Sequence, residues 1–405
     1  MKELYSGSLY WPNTGFTPVE APPLQQHIDT DTAVIGGGIS GALCSLAIVR
    51  SGRTAALLEK REIAGGSTAA STCLIQFSND IMLCDLISQI GERDAKLFYR
   101  SCGEAIDQLE ELISTLPSHV DFDRRSSLYF ASSEQELPKL RREYEALLDA
   151  GFEVQFWESD DIAAHFPFRK PGAIVAKGDA ESNPLQLVNG IAAAARQEGL
   201  NLYSHTEVIR QEPLDDGRYR LHAANGSTVT ASNIIYAIGY EPEELKGQLI
   251  KAQINRSFAA VTGIEPQLNA SWHERMLIWE TSRPYLYMRT SFDGRVILGG
   301  LDEENDQPIH SHSKHKKLAG RLRDRLKALF PAFDAEIQYA WSASFGESRD
   351  NLPFIGADPR QPNIYYCLGY GGNGTVYSML GSRIICDLIN GRSNPLAPIV
   401  RMDRG

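Results

Sequence analysis

Several things are scarce in this 405-residue chain. No apolar run is long enough to cross a bilayer: "LCSLAIV", from Leu43 to Val49, is a third of the roughly 20 residues a span needs. No dense basic run appears, and 40 Lys and Arg stand against 51 Asp and Glu, a formal net charge of −11, which argues against a nucleic-acid partner. The most cationic stretch, Lys314 to Lys327, also carries Leu318, Leu322, Leu326 and Leu329 on one side, the pattern of an amphipathic helix with a solvated face. The six cysteines, Cys44, Cys73, Cys84, Cys102, Cys367 and Cys386, include no C-x-x-C pair. This is free-thiol usage in a reducing cytoplasm, not a disulfide framework or a zinc site. The N-terminal segment is polar and Pro-rich, without a signal-type apolar core. His310, His312 and His315 form H-x-H-x-x-H, but beside "DEEND" and ahead of a polar helix they read as a solvated loop, not a metal site. There is no internal repeat and no low-complexity linker. The length suits two domains with a large core.

What is present is concentrated between Asp31 and Lys60. Thr32–Ile35 is a short apolar strand ending at Gly36. Ile39 to Val49 has helical character, and Arg53–Leu58 is a second buried strand. Gly36, Gly38 and Gly41 thus form G-x-G-x-x-G at a strand-to-helix turn inside a βαβ unit. The first glycine permits the tight turn, the second lets backbone approach a pyrophosphate, and the third lets helix and strand pack closely. The helix N-terminus then favours phosphate charge. Glu59 closes the second strand, where a carboxylate accepts hydrogen bonds from ribose hydroxyls and repels a 2′-phosphate. This unit alone leaves NAD and FAD both open.

Other segments bear on that choice. "GGSTAAST" (Gly65 to Thr72) offers a second backbone-rich contact to a pyrophosphate. Asn183 or Ser182 suits the cap of a helix beginning at Pro184. "EVIRQEPLDDGRYRLHAANGSTVTASNIIYAIG" reads as a meander with turns at Asp216-Gly217 and Asn225-Gly226, and Asp293-Gly294 as a hairpin turn. Near the end, a strand, a Gly-rich turn (Gly369, Gly371, Gly372, Gly374) and a helix give a second helix start, able to stabilise an anionic centre such as a reduced flavin.

With these segments in view, the chain resembles the D-amino-acid-oxidase-like family of FAD-dependent oxidoreductases, a group that includes glycine oxidase, sarcosine oxidase and γ-glutamylputrescine oxidoreductase. The matching stretches are "VIGGGISGALCSLAIVRSGRTAALLEK", "GGSTAAST", "NPLQLVNGIAAAARQEGLNLYSHTEV", "IIYAIGYEP", "DGRVILGGLDE" and "DNLPFIGADPRQPNIYYCLGYGGNG", in the family's order. "SLYWPNTGF" looks most like the γ-glutamylputrescine oxidoreductase branch. The resemblance implies an α/β fold: a discontinuous Rossmann-like FAD-binding domain over residues 1–95, 183–250 and 341–405, and a substrate domain with a large mixed β-sheet over 96–182 and 251–340. It implies that FAD contacts Gly36, Gly38, Ile39, Ser40, Gly41, Glu59, Lys60, Ser67, Thr68, Val208 and Gly239, and that Gly371, Gly372, Asn373, Gly374 and Thr375 approach the flavin edge. No cysteine lies between Trp341 and Ser344, where sarcosine-oxidase-like relatives link the flavin, so noncovalent FAD is expected.

The expected chemistry is oxidation of the C–N bond of an amine or amino acid to an imine, with hydride transfer to flavin, a reaction that needs no triad or metal. The alternatives are a dehydrogenase of a 2-hydroxy acid or polyol phosphate, and a non-catalytic flavoprotein subunit. Tyr285, Tyr287 and Arg289 alternate on one face of a strand and are the expected substrate-contacting residues, with Arg289 binding an anionic group. Two carboxylate-binding arginines of the amino-acid oxidases fall here at about Phe345 and Gly372, so neither is present. Lys251 bears on oxygen use, since a cation near a flavin stabilises superoxide, but reads equally as a surface lysine.

Overall fold

Burial on both faces explains why the stretch Ile28–Ile35 is a strand: Ala33 and Val34 are fully enclosed. It pairs in parallel with Ala55–Leu58 and with Thr228–Tyr236, and near-continuous apolar runs are what a parallel sheet covered on both sides requires. The protein is described by a computed structural model covering residues 3–241, 250, 252–305 and 307–404; Lys251 lies outside them. The first sheet has eight strands. Its path runs Phe354–Ala357, Ile364–Leu368, Thr228–Tyr236, Ile28–Ile35, Ala55–Leu58, Asn201–Tyr203, and the meander strands Val208–Pro213 and Tyr219–Ala223 extend from Thr228–Tyr236. Gly217 and Gly226 take positive φ at the two meander turns. The helices Ile39–Arg50, Pro184–Gln197 and Gly374–Ile389 pack together beside this sheet. The second of these starts as its sequence predicts: Asn183 accepts from the N–H groups of Leu185 and Gln186, and Pro184 occupies the first turn.

The second sheet has ten strands and is mixed. Leu277–Glu280 runs parallel to Phe122–Phe130, while Leu286–Thr290 and Val296–Glu303 form an antiparallel hairpin whose turn holds Gly294 at positive φ. The helix His312–Leu329 covers this sheet with Leu318, Leu322, Leu326 and Leu329, the apolar side read from the sequence. Tyr5–Ser8, Leu74–Ile75 and residues 341–348, all within the ranges given by resemblance to the FAD-binding domain, pair in this second sheet. Tyr5–Ser8 joins its edge at Ile337–Ser348, and Leu74–Ile75 joins the opposite edge at Gly172–Ser182.

The three histidines do not converge. His315 is buried within the helix and bonds the Ile309 carbonyl at 2.9 Å, while His310 and His312 are exposed. Among the described residues no group of His, Cys, Asp and Glu could hold a metal ion, all six cysteines are free, and no helix is long and apolar enough to cross a membrane.

One buried carboxyl gives the fold a pH dependence. Asp179, in the strand Gly172–Ser182, is fully buried; one oxygen accepts the Phe77 N–H at 3.0 Å and the other has no partner. Burial raises its pKa from 3.8 to about 7. The folded chain therefore holds this proton more tightly than the unfolded chain. The resulting stabilisation is complete below pH 4 and is lost as pH rises through 7, by up to roughly 4 kcal/mol. Asp179→Asn, which keeps an acceptor for Phe77, is expected to flatten that loss. Urea denaturation at pH 5 and pH 8 checks it: an unchanged difference between the two stabilities would clear Asp179 of the effect.

Candidate active site

A single cavity of about 880 Å³ runs from the first Gly-rich turn, past both sheets, to the last one. At its first end Gly36 has φ +108°, and a β-carbon there would overlap the Ala237 carbonyl oxygen. A β-carbon at Gly41 would overlap the Gly36 carbonyl oxygen, so the helix start seats directly on the turn. Gly41 therefore shapes the cavity without lining it, whereas Gly36, Gly38, Ile39 and Ser40 do line it. Gly38 caps the helix without a side chain of its own, leaving the first-turn N–H groups after Ile39 for a ligand. Thr68 Oγ1 accepts the Ile39 N–H at 3.2 Å, which brings "GGSTAAST" onto the same helix start. Beside it Ser67 Oγ is buried without a partner.

Glu59 is 8% exposed, and its carboxylate accepts the N–H groups of Gly37 at 2.6 Å and Arg61 at 2.7 Å. Glu59 lines the cavity, and each oxygen can accept a further hydrogen bond. Lys60 and Arg61 both pair with Glu241, and these three residues line the cavity with Val208 and Gly239. The glycine cradle, the uncapped helix start, the unpartnered Ser67 hydroxyl and the acidic strand end together fit an unphosphorylated dinucleotide.

At the other end Gly371, Gly372, Asn373, Gly374 and Thr375 line the cavity just ahead of the helix Gly374–Ile389. Asn373 Nδ2 donates to the Ser78 carbonyl at 2.6 Å and Tyr377 OH to Asn79 Oδ1 at 2.7 Å, which pins the loop to residues 78–80. Asp80 completes this junction: its carboxylate accepts the Gly372 N–H at 2.6 Å and the Tyr285 hydroxyl at 3.1 Å. A β-carbon at Gly372 would lie 2.9 Å from Asp80 Oδ1. The position expected for a carboxylate-binding arginine is thus glycine, with an acid pressed against it.

The strand Leu286–Thr290 sets the opposite wall. Tyr285 and Tyr287 line the cavity with Trp279, Phe345, Ser257 and Asp302. The Tyr287 ring lies over its ladder partner Gly299, where a β-carbon would overlap it. Burial raises the pKa of both phenols, Tyr287 to about 12, so they stay protonated.

Arg289 departs from its expected place. It does fall on the side of the strand predicted by alternation, but it is fully buried and does not line the cavity. Its Nε donates to the Thr72 carbonyl at 2.9 Å and its Nη2 to the Ser182 carbonyl at 2.7 Å; Glu181 lies 3.5 Å away and the Trp11 ring 5.2 Å. With every donor direction occupied by the protein, it is not placed to meet a substrate. Sequence reasoning missed Asp80, Trp279 and Asp302, which do line the cavity.

Comparison with known proteins agrees with this architecture. The family described as "FAD dependent oxidoreductase" (DAO) matches residues 31–388. Glycine oxidase of Bacillus licheniformis is 23% identical over 90% of this chain and 94% of its own. Gamma-glutamylputrescine oxidoreductase of Escherichia coli (strain K12) is 23% identical over 91% of this chain and 85% of its own. Among solved structures, glycine oxidase from Geobacillus kaustophilus superposes with a TM-score of 0.78 at 21% identity, covering 93% of this chain and 99% of that one. The chain belongs to the DAO family of FAD-dependent oxidoreductases.

Proposed function

We propose that this protein oxidises the C–N bond of an amine or amino acid to an imine, which water then hydrolyses. The observation that carries the reading is the continuity of one cavity from the dinucleotide cradle to a compartment walled by Trp279, Tyr285, Tyr287 and Phe345. FAD supplies, when bound, the two-electron acceptor that no side chain here provides. The residues that would hold it are Gly36, Gly38, Ile39, Ser40, Glu59, Lys60, Ser67, Thr68, Val208, Gly239 and the run Gly371 to Thr375. The 16-residue helix Gly374–Ile389 directs its positive end at that run and favours negative charge beside it. The aromatic wall limits water, and the protonated phenols can orient a substrate by hydrogen bonding, Tyr287 as a donor and Tyr285, whose proton is given to Asp80, as an acceptor. The relatives named above, one called a glycine oxidase and the other a gamma-glutamylputrescine oxidoreductase, support amine chemistry.

The cofactor is expected to be noncovalent. Acid precipitation should leave all flavin colour in the supernatant; colour kept in the pellet would implicate Cys73, the cysteine that lines the cavity. Anaerobic addition of a panel of amines and amino acids should bleach the bound flavin. Bleaching by 2-hydroxy acids alone would overturn the amine reading, and bleaching by no compound would favour a non-catalytic subunit.

A further inference from the structure

The substrate compartment is acidic where an amino-acid site would be basic. Asp80 and Asp302 line it, and Glu347 sits close enough to feel both charges. Burial first, and the Asp80 charge second, push the Asp302 and Glu347 carboxyls above their ordinary range, against the hydrogen bonds from Ser257 and Asn255. Among the described residues the guanidinium that faces this group is that of Arg283, an exposed residue that donates to the Asp80 backbone carbonyl at 2.7 Å and lies over the Tyr285 ring at 4.4 Å. The phenols Tyr285 and Tyr287 are neutral. Among the described residues three carboxyls face one solvent-facing cation, so acceptors for an ammonium outnumber competing cations in the compartment.

A second, independent feature shows that something else completes it. Trp279 is 8% exposed and lines the cavity, yet its indole Nε1 has no partner. Asp302 Oδ1 is also buried without one. An orphaned buried acceptor is costly, so a ligand whose ammonium donates to Asp302 Oδ1 gains by doing so, whereas the Trp279 N–H, itself a donor, offers such a ligand its ring face and not a hydrogen bond. Trp279 and the two tyrosines also present aromatic surface of the kind that attracts a cation.

We infer that the compartment selects a dication-like amine, one whose second polar group is an ammonium held by Asp302 and its acidic neighbours, over an amino acid bearing a carboxylate. The inference rests on the reading that this compartment receives the amine. It accounts for two departures at once: Gly372 and Phe345 stand where carboxylate-binding arginines would, and Arg289 is turned into the protein interior.

The test is calorimetric titration of the FAD-loaded protein with 1,4-diaminobutane and with 4-aminobutanoate, which share chain length and differ in the charge of one end. The diamine should bind at least tenfold more tightly. In Asp302→Asn its affinity should fall tenfold or more, with 4-aminobutanoate unchanged or improved, and Glu347→Gln should move both ligands in the same directions. Retained FAD and an unchanged melting temperature establish that each variant is folded; where one is not, the wild-type ratio decides. Equal affinities, tighter 4-aminobutanoate, no measurable diamine binding, or an Asp302→Asn protein that keeps the full preference would each overturn the assignment. Flavin bleaching by hydroxy acids alone, with the diamine preference intact, would sink the amine-oxidation reading and leave the charge selectivity standing.

Discussion

Gly41→Ala is expected to yield a protein that does not retain FAD and is substantially destabilised. The cause is local. A methyl group at residue 41 would overlap the Gly36 carbonyl oxygen and lie 2.9 Å from its carbon, with Ala237 Cβ 3.5 Å away. The clash is with backbone, so no rotamer change relieves it. Gly36 cannot yield either, because its φ of +108° and the Ala237 carbonyl already fix it. The helix Ile39–Arg50 must therefore shift off the turn, and eight of its residues are buried. Overpacking of this kind costs about 1–3 kcal/mol or more. The same shift moves the N–H groups at the helix start away from a bound phosphate, and a displacement near 1 Å in a positioned site can cost roughly 10²-fold. Gly320→Ala is the control. It lies inside the helix His312–Leu329 with nothing within 4 Å of a new β-carbon, and should stabilise by about 0.5–1 kcal/mol. Denaturation curves and FAD content of the two variants check the pair. Wild-type FAD retention in Gly41→Ala would mean that the close approach is not required.

Much of this architecture was legible because its determinants are local. The apolar strand, the glycine spacing and Glu59 all lie within one βαβ unit, where a fixed offset in sequence means a fixed place in space. The meander turns and the Asn183 cap were equally readable, since Gly217, Gly226 and Pro184 act on their own backbone. The substrate end was not, for two physical reasons. Strict alternation from Gly299 would put Leu301 in the cavity and Asp302 behind the sheet. Leu301 instead has φ +59°, and Val296–Glu303 shifts register against Ala252–Thr262, so that Gly300 opposes Phe258 and Glu303 opposes Arg256. The extra residue turns Asp302 to the side of Ser257, toward the cavity. Asp80 was illegible for another reason: its partners Gly372 and Tyr285 are more than 200 residues away in sequence.

Arg289→Ala is expected to weaken folding, not substrate selection. The alternation Tyr285, Tyr287, Arg289 is real, but the cavity ends before the third residue, where the segment carrying Thr72 and the strand end at Ser182 close over it. The guanidinium ties these two pieces together from inside the protein. Its removal leaves the Thr72 and Ser182 carbonyls without their donor and opens a cavity the size of a long side chain. Glu181, also fully buried, keeps Arg125 at 2.9 Å and Arg275 at 2.6 Å, so the acid is not left unpaired. The loss should be about 2–5 kcal/mol, the scale for buried carbonyls left without donors together with a large side-chain cavity. Arg289→Lys should recover only part of it, because one ammonium cannot span carbonyls that a planar fork reaches in separate directions. Thr72 lines the cavity, so FAD affinity should fall together with stability. The ratio of affinities for 1,4-diaminobutane and 4-aminobutanoate should not change, because no atom of Arg289 faces the ligand. Urea denaturation and calorimetric titration of the folded fraction measure both quantities. A stable Arg289→Ala protein with that ratio altered tenfold would return the residue to the substrate site.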